Sequence, residues 1–273
     1  MYYLDKLFSL DGKVAVVTGA GALGSEMCMA LAKAGARVAI IDYQGDKSKE
    51  LADAINADGQ TAKDYQGSVL DIPRLNEIKE EVLSEWGSID ILVNGAGGNM
   101  PGATIAPDQT VFDLSIDDLR KVMDLNLMGS ILPTQVFAKV MADQKSGSVI
   151  NISSMTATQA VTRVMGYSIS KAAISNYTIW MATEMASKFG EGIRVNAIAP
   201  GFFIGEQNRR LLTNEDGSLT DRGKTIIQNT PMGRFGELSE VTGALLFLVS
   251  PSSSFVTGTV VNVDGGFGSF SGV

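Results

Sequence analysis

The chain has 273 residues, 45% of them hydrophobic and 19% charged, with a formal net charge of −8. That length and apolar content suit one large α/β domain, and an acidic chain without a basic stripe argues against nucleic-acid binding. Histidine is absent and Cys28 is the only cysteine, which excludes a serine–histidine–aspartate triad, an imidazole base, disulfides, and metals held by histidine or by thiolate clusters.

The opening residues, MYYLDKLFSLDGK, lack a basic segment followed by a long apolar run, so no signal peptide is expected. No apolar run approaches the ~20 residues of a membrane span. A cytoplasmic protein without membrane association is the expectation.

The first strand candidate is VAVV (14–17), and a glycine-dense turn follows it directly. Gly19, Gly21 and Gly24 spell G-x-G-x-x-G between a strand and a helix. The first glycine permits a tight turn, the second lets backbone approach a pyrophosphate, and the third lets helix and strand pack closely. Free amides at the helix start, on Ala22, Leu23 and Gly24, would meet the phosphates. The next strand, VAII (38–41), runs into Asp42, 21 residues beyond Gly21. An acid there accepts adenosine ribose hydroxyls and repels a 2′-phosphate, which predicts NAD rather than NADP.

Helices are predicted over Asp46–Ala57, Pro73–Trp86 and Ile116–Met141, and strands at DILVN (90–94), SVINIS (148–153), RVNAI (194–198) and VVNV (260–263). The strands are nearly all apolar, as expected where both faces are covered. This alternation predicts an α/β fold, a doubly wound Rossmann-type parallel sheet with helices on both faces. No repeat, low-complexity tract or linker divides the chain, so residues 1–273 form one domain. The polar segment from Phe202 to about Glu237 is long enough to be a lid or substrate loop.

Three tyrosines have a lysine four residues on: Tyr2 with Lys6, Tyr43 with Lys47, and Tyr167 with Lys171. Only the third follows a strand that ends in a serine, Ser154, 13 residues before the tyrosine. A hydroxyl beside a phenol suits carbonyl chemistry: the serine orients the oxygen and the tyrosine exchanges a proton. The Lys171 ammonium, one helical turn away, is expected to lower the phenol pKa from about 10 toward working pH.

The motifs VVTGAG (16–21), VNGAG (93–97), NISS (151–154), YSISK (167–171), RVNAIAPG (194–201) and VDGG (263–266) occur in this order over nearly the whole chain. In this it resembles the classical short-chain dehydrogenases/reductases, Rossmann-fold NAD(P)-dependent oxidoreductases that are usually tetramers or dimers. The resemblance implies a catalytic tetrad of Asn126, Ser154, Tyr167 and Lys171, with Asn126 shaping a helix distortion and holding a water that connects Lys171 to solvent. It further implies that Asn94, Gly95, Ala96 and Gly97 line the cofactor cleft, that Pro200 and Gly201 face the nicotinamide, and that Tyr167 and Lys171 touch the cofactor, Lys171 at the nicotinamide ribose. Two features depart from the family pattern. Its glycine loop, T-G-x-x-x-G-x-G, is one residue shorter here, and Ser68 stands where an aspartate usually meets the adenine, leaving the Val69 backbone to hold that ring.

PTQVFAK (133–139), TRVMGYSISKAAISN (162–176), APGFFIGEQNR (199–209) and the ending VDGGFGSFSGV look like the D-mannonate oxidoreductase branch of the family. The expected substrate is therefore a small polyhydroxylated acid, with D-fructuronate reduced to D-mannonate as the best example. Its carboxylate needs a cation, and Arg163 precedes Tyr167 by four residues; Arg209, with Gln207 and Asn208 for sugar hydroxyls, lies in the polar loop. Arg210 is a further candidate. The alternatives are a 3-oxoacyl-thioester reductase, which would favour NADP and a basic docking face, and a non-catalytic dinucleotide sensor, which has no need of the phenol. The segment Ala172–Ala186, apolar around much of its circumference, suits both core and a subunit interface.

Overall fold

Each apolar run named above is part of a strand, and it is apolar throughout because helices cover both sides. In β1 (Val14–Thr18), Ala15 and Val17 enter one core while Val14 and Val16 enter the other. The computed structural model describes residues 2–205 and 209–272. The other strands are β2 (Arg37–Asp42), β3 (Ala62–Gln66), β4 (Ile91–Asn94), β5 (Gly147–Ile152), β6 (Ile193–Pro200) and β7 (Val260–Val263). They form one parallel sheet in the order β3-β2-β1-β4-β5-β6-β7.

β3 is the strand that apolar patterning does not reveal. Its sequence, AKDYQ, lies at the sheet edge, where only Ala62 and Tyr65 are buried. An edge strand pairs on one side only and tolerates charge, so Lys63 and Asp64 can interrupt the pattern here. At the other edge, β7 keeps an apolar run.

The helices are α1 (Tyr3–Phe8), α2 (Ala22–Lys33), α3 (Gly45–Ala57), α4 (Ile72–Trp86), α5 (Ile116–Met123), α6 (Gly129–Gln144), α7 (Met165–Phe189), α8 (Arg209–Leu212), α9 (Asp221–Gln228) and α10 (Glu240–Val249). On one face α2, α3 and α10 bury Met27, Leu31, Ile55, Leu245 and Leu248. On the other, α4, α6 and α7 bury Leu75, Ile78, Phe137, Met141 and Met185. Local signals set the ends of α4: the Asp71 side chain accepts the Arg74 N–H at 3.1 Å, Pro73 stands in the first turn, and Gly87 leaves at φ +81. The predicted helix 116–141 is broken, since α5 and α6 are joined by a π-helical turn, Asp124–Met128.

Strand order reverses between β1 and β4, and this opens a crevice at their carboxyl ends, where doubly wound sheets bind ligands. Glycines line it because backbones approach there too closely for a side chain. A Cβ on Gly24 would lie 1.9 Å from the Gly19 carbonyl oxygen, and one on Gly19 would lie 2.9 Å from Ala96. The long segment 202–237 leaves the same edge and carries α8 and α9; its ends are joined by the Gly236 N–H donating to the Phe202 carbonyl at 3.0 Å. Among the described residues, no helix is long and apolar enough to cross a membrane.

Gly24 and Gly21 differ in what they contribute to folding. Gly24→Ala should lower unfolding free energy by upwards of about 2 kcal/mol in urea titration, because a methyl cannot coexist with the Gly19 carbonyl. Gly21→Ala, at φ −72 with nothing within 4 Å, should stay within about 1 kcal/mol of the parent.

Candidate active site

The turn after β1 leaves the start of α2 open. Gly21 is the N-cap, no side chain caps it, and space lies above it. The first amides of α2 are therefore unpaired donors at the positive end of a 12-residue helix, a suitable seat for a pyrophosphate. Asp42, at the end of β2, leans over this loop: its carboxylate accepts the Ala20 N–H at 2.7 Å and the Gln44 N–H at 2.8 Å. The shortened glycine loop thus keeps both the helix start and the acid in place.

Across the crevice, the N-G-A-G turn (94–97) follows β4. Thr18 ties it to β1, its hydroxyl accepting the Gly95 and Ala96 N–H groups at 3.2 and 3.3 Å. A Cβ on Gly95 would meet the Thr18 carbonyl at 2.8 Å. The Asn94 amide donates at 2.8 Å to both Thr134 and Asn151, while its buried carbonyl oxygen has no partner among the described residues. On the adenine side, the exposed Ser68 accepts the Leu70 N–H at 3.2 Å through its hydroxyl, and Val69 is buried against Gly129. Pro200 ends β6, and Gly201 packs so closely on Asp264 that a Cβ would lie 2.6 Å from its Cα.

Asn126 lies in the π-helical turn, fully buried. Its amide donates to the Gly98 and Val122 carbonyls at 2.7 and 2.8 Å, and its oxygen accepts the Gly98 N–H at 3.1 Å. The extra residue in that turn aims the side chain sideways at residues 97–98 instead of along the helix. A Cβ on Gly97 would lie 2.7 Å from Asn126 Oδ1 and 3.5 Å from Lys171 Nζ, so all three share one spot.

Ser154 and Tyr167 meet at the carboxyl end of β5. Ser154 starts a short 3₁₀ turn, its hydroxyl accepting the Thr156 N–H at 3.2 Å and lying within hydrogen-bonding reach of the Tyr167 phenol. Tyr167 and Lys171 are one turn apart near the start of α7, with Lys171 Nζ 5.3 Å from the ring centre and donating to the Ile152 carbonyl at 2.7 Å. Ser153, which sequence reading passed over within NISS, holds α7 against β5: its hydroxyl donates to the Lys171 carbonyl at 3.1 Å and pairs with Ser175 at 2.7 Å. Tyr2 and Tyr43, the other tyrosine–lysine candidates, are exposed and lie outside this cluster.

Arg163 is partly buried ahead of α7, its Nε donating to the Ile105 carbonyl at 2.7 Å. Arg209 and Arg210 are exposed on α8. Gln207 and Asn208 lie outside the described residues.

A family model described as enoyl-(acyl carrier protein) reductase matches residues 19–268. A Haemophilus influenzae structure with bound NAD, assigned as a candidate D-mannonate oxidoreductase, is 44% identical at a TM-score of 0.91, covering 97% of this chain and 98% of that one. An uncharacterized Bacillus subtilis oxidoreductase is 43% identical over 97% of this chain and 98% of its own. The chain belongs to the short-chain dehydrogenase/reductase family. A gluconate 5-dehydrogenase from Burkholderia cenocepacia in complex with NADP and tartrate, 32% identical at a TM-score of 0.87, covers 98% of this chain and 99% of its own. The protein is accordingly an oxidoreductase acting on CH–OH groups.

The electrostatics of this short-chain dehydrogenase site differ from the expectation in one respect. Lys171 does not bring the phenol down. Burial raises the Tyr167 pKa above its ordinary value, opposed only by the hydrogen bond from Ser154. Burial also lowers the Lys171 pKa, to about 8. The same desolvation acts on both groups, and the Lys171 Nζ is turned to a main-chain carbonyl instead of the phenol oxygen.

A pH dependence follows. Taking a proton from an alcohol needs the phenolate, and a raised Tyr167 pKa makes that form scarce at neutral pH. Giving a proton to a ketone needs the phenol, which is abundant there. The kcat/KM for alcohol oxidation should climb with pH through the alkaline range while that for ketone reduction is already maximal near neutrality. Ser154→Ala removes the hydrogen bond that favours the anion, and should move the oxidative limb to higher pH in the same rate–pH profiles.

Proposed function

We propose that this enzyme interconverts a keto sugar acid and its aldonate with NAD(H), as in D-fructuronate and D-mannonate. The observation that carries the chemistry is the meeting of the Ser154 hydroxyl and Tyr167 phenol beside the β1/β4 crevice. The substrate class is supported by Arg163, a cation four residues ahead of the phenol, and by the likeness to the Haemophilus structure.

The residues present suit a dinucleotide. The open amides of Gly21, Ala22, Leu23 and Gly24 would hold its pyrophosphate beyond Gly19, and Asp42 the adenosine ribose. Ser68 and Val69 would border the adenine, Asn94, Gly95, Ala96 and Gly97 the middle of the cleft, and Pro200 and Gly201 the nicotinamide. When bound, the nicotinamide supplies or accepts the hydride.

In reduction, the Ser154 hydroxyl orients the substrate carbonyl and the Tyr167 phenol gives its proton to the carbonyl oxygen. The Lys171 ammonium holds the nicotinamide ribose, and the Ser154 hydroxyl is the group that favours the phenolate that results. Asn126 fixes the turn beside Lys171 through its bonds to Gly98. Arg163 pairs with the substrate carboxylate, while Gln207, Asn208 and Arg209 are assigned to the hydroxyl-bearing end. The segment 202–237 serves as the substrate loop.

The enoyl-thioester description of the family model favours an acyl-carrier substrate as the second reading. An acidic carrier protein would meet a chain of net charge −8, and its usual NADPH would meet Asp42. Both weigh against it. A cytoplasmic homodimer or homotetramer completes the reading, with Ile179 and Trp180 exposed on the outer side of α7 as interface residues.

Tyr167→Phe should reduce turnover by at least ~10²-fold while NADH binding, read by fluorescence titration, stays near the parent, since the phenol proton is lost while the pyrophosphate, Asp42 and Lys171 contacts remain. Retained activity would remove the phenol from the mechanism, whereas a parent protein that binds NADH without turning over any substrate would favour the sensor. NADH should surpass NADPH in kcat/KM, because like charges at Asp42 and a 2′-phosphate cost on the order of 1–4 kcal/mol. Asp42→Ala should narrow that gap mainly through tighter NADPH binding; equal kcat/KM for the two cofactors in the parent would contradict the NAD assignment.

A further inference from the structure

A second guanidinium stands beside Arg163, contributed by a distant part of the chain. Arg222, on α9, donates from Nη1 to the Thr162 hydroxyl at 3.4 Å. The next residue is Arg163, which is bonded twice to Ile105: its Nε donates to the Ile105 carbonyl at 2.7 Å, and its carbonyl accepts the Ile105 N–H at 3.0 Å. Three connections at the carboxyl edge of the sheet therefore converge here. The one after β4 brings Ile105, the one after β5 brings Thr162 and Arg163, and the one after β6 brings Arg222. They meet directly ahead of the start of α7, which carries Tyr167.

Two features of this meeting place lack a structural reason. First, like charges are brought together with no counter-charge. Arg74, Arg120 and Arg234 each pair with a carboxylate. Among the described residues the other arginines do not, and of these Arg163 and Arg222 are brought together from separate connections. Burial and, after it, the neighbouring Arg163 charge hold the Arg222 guanidinium below its ordinary pKa. Second, Arg163 has φ +79, a backbone region that side chains rarely adopt. The other such non-glycine among the described residues, Lys145, ends α6, an ordinary place for it. Arg163 ends no helix. Strain of this kind, held in place by surrounding bonds, accompanies ligand-binding positions.

We propose that Arg163 and Arg222 together form a carboxylate receptor that makes the enzyme selective for acidic over neutral polyols. The proposal deepens the sugar-acid reading above and rests on it. Arg163 spends its Nε on Ile105 and keeps its Nη groups for the ligand. Arg222 is held at Thr162 only by a long bond and keeps most of its donors. Together they offer a carboxylate more donors than one arginine could, in the forked geometry that suits it. An anion between them also offsets their mutual repulsion and so strengthens the seating of α9 at Thr162. Arg222, and not the exposed Arg209, is then the partner of Arg163.

The test compares D-fructuronate with D-fructose, in which a hydroxymethyl group replaces the carboxylate, using the full-length enzyme with NADH. The parent should prefer the acid. Arg222→Gln and Arg163→Gln should each lower the acid-over-neutral ratio of kcat/KM by roughly 10²-fold, mainly through KM for the acid. Arg222→Lys should recover part of that loss, and unchanged Tm values would show that the variants fold. If the parent reduces D-fructuronate but the ratio is the same in all variants, or both substrates lose equally, the arginine pair is refuted and the sugar-acid reading survives. If no hexulonate is reduced, the sugar-acid reading falls, and calorimetry of tartrate binding to the NADH-loaded protein decides the receptor. Binding that Arg222→Gln abolishes would uphold an anion site, while absent or unaltered binding would overturn it.

Discussion

The structure depends on three places where backbones touch at the end of β1. Gly24 lies against the Gly19 carbonyl, Gly19 against Ala96, and Gly95 against the Thr18 carbonyl, each too close for a side chain to intervene. These contacts bring the start of α2, the end of β1 and the turn after β4 into one small volume at the point where strand order reverses. Enlarging any of these glycines would push the elements apart and remove the crevice. The missing side chains therefore create the binding surface as much as any residue present does.

From that crevice, positioning passes through buried polar side chains. Thr18 fixes the turn after β4, Asn126 fixes the strand-to-loop segment at Gly98, and Ser153 fixes α7 on β5. Asn94, Thr134, Asn151 and Thr178 link β4, α6, β5 and α7 below the site through bonds of 2.8 to 2.9 Å. Such bonds are worth little net energy, but breaking one strands a buried partner, so they specify geometry more than they add stability. The result is a rigid floor on which Ser154, Tyr167 and Lys171 stand. Arg163, proposed to face substrate, lies on a connection between elements, where chain length and composition can vary without disturbing that floor.

Much of this was legible in the residue order. Apolar runs located six strands, five of them central and covered on both faces and the sixth, β7, an edge strand that keeps such a run. The other edge, β3, escaped because AKDYQ carries charge and buries only Ala62 and Tyr65. The helix predicted over 73–86 matches α4 because Asp71, Pro73 and Gly87 set its ends through chemistry local to those residues. The family motifs, in order, placed Ser154, Tyr167 and Lys171 together before any coordinates, and spacing alone could not have chosen among three tyrosine–lysine pairs. Asn126 was marked by resemblance, while the π-helical turn around it interrupts a helix that periodicity had drawn as continuous.

What the order of residues determined by itself is what nearest neighbours and periodicity decide: a doubly wound sheet, a glycine turn feeding a helix, an acid at the next strand end, and a hydroxyl–phenol–amine set. What only the tertiary structure decided are quantities that depend on who faces whom across long separations. The direction of the Tyr167 shift is one, because burial outweighs the Ser154 hydrogen bond and the Lys171 ammonium is turned to the Ile152 carbonyl. The meeting of Arg222 with Thr162 and Arg163 is another, since the contact spans 60 residues and three separate connections. Sequence spacing carries information about one turn of helix or one strand; charge and desolvation act through space, and the folded chain alone sets those distances.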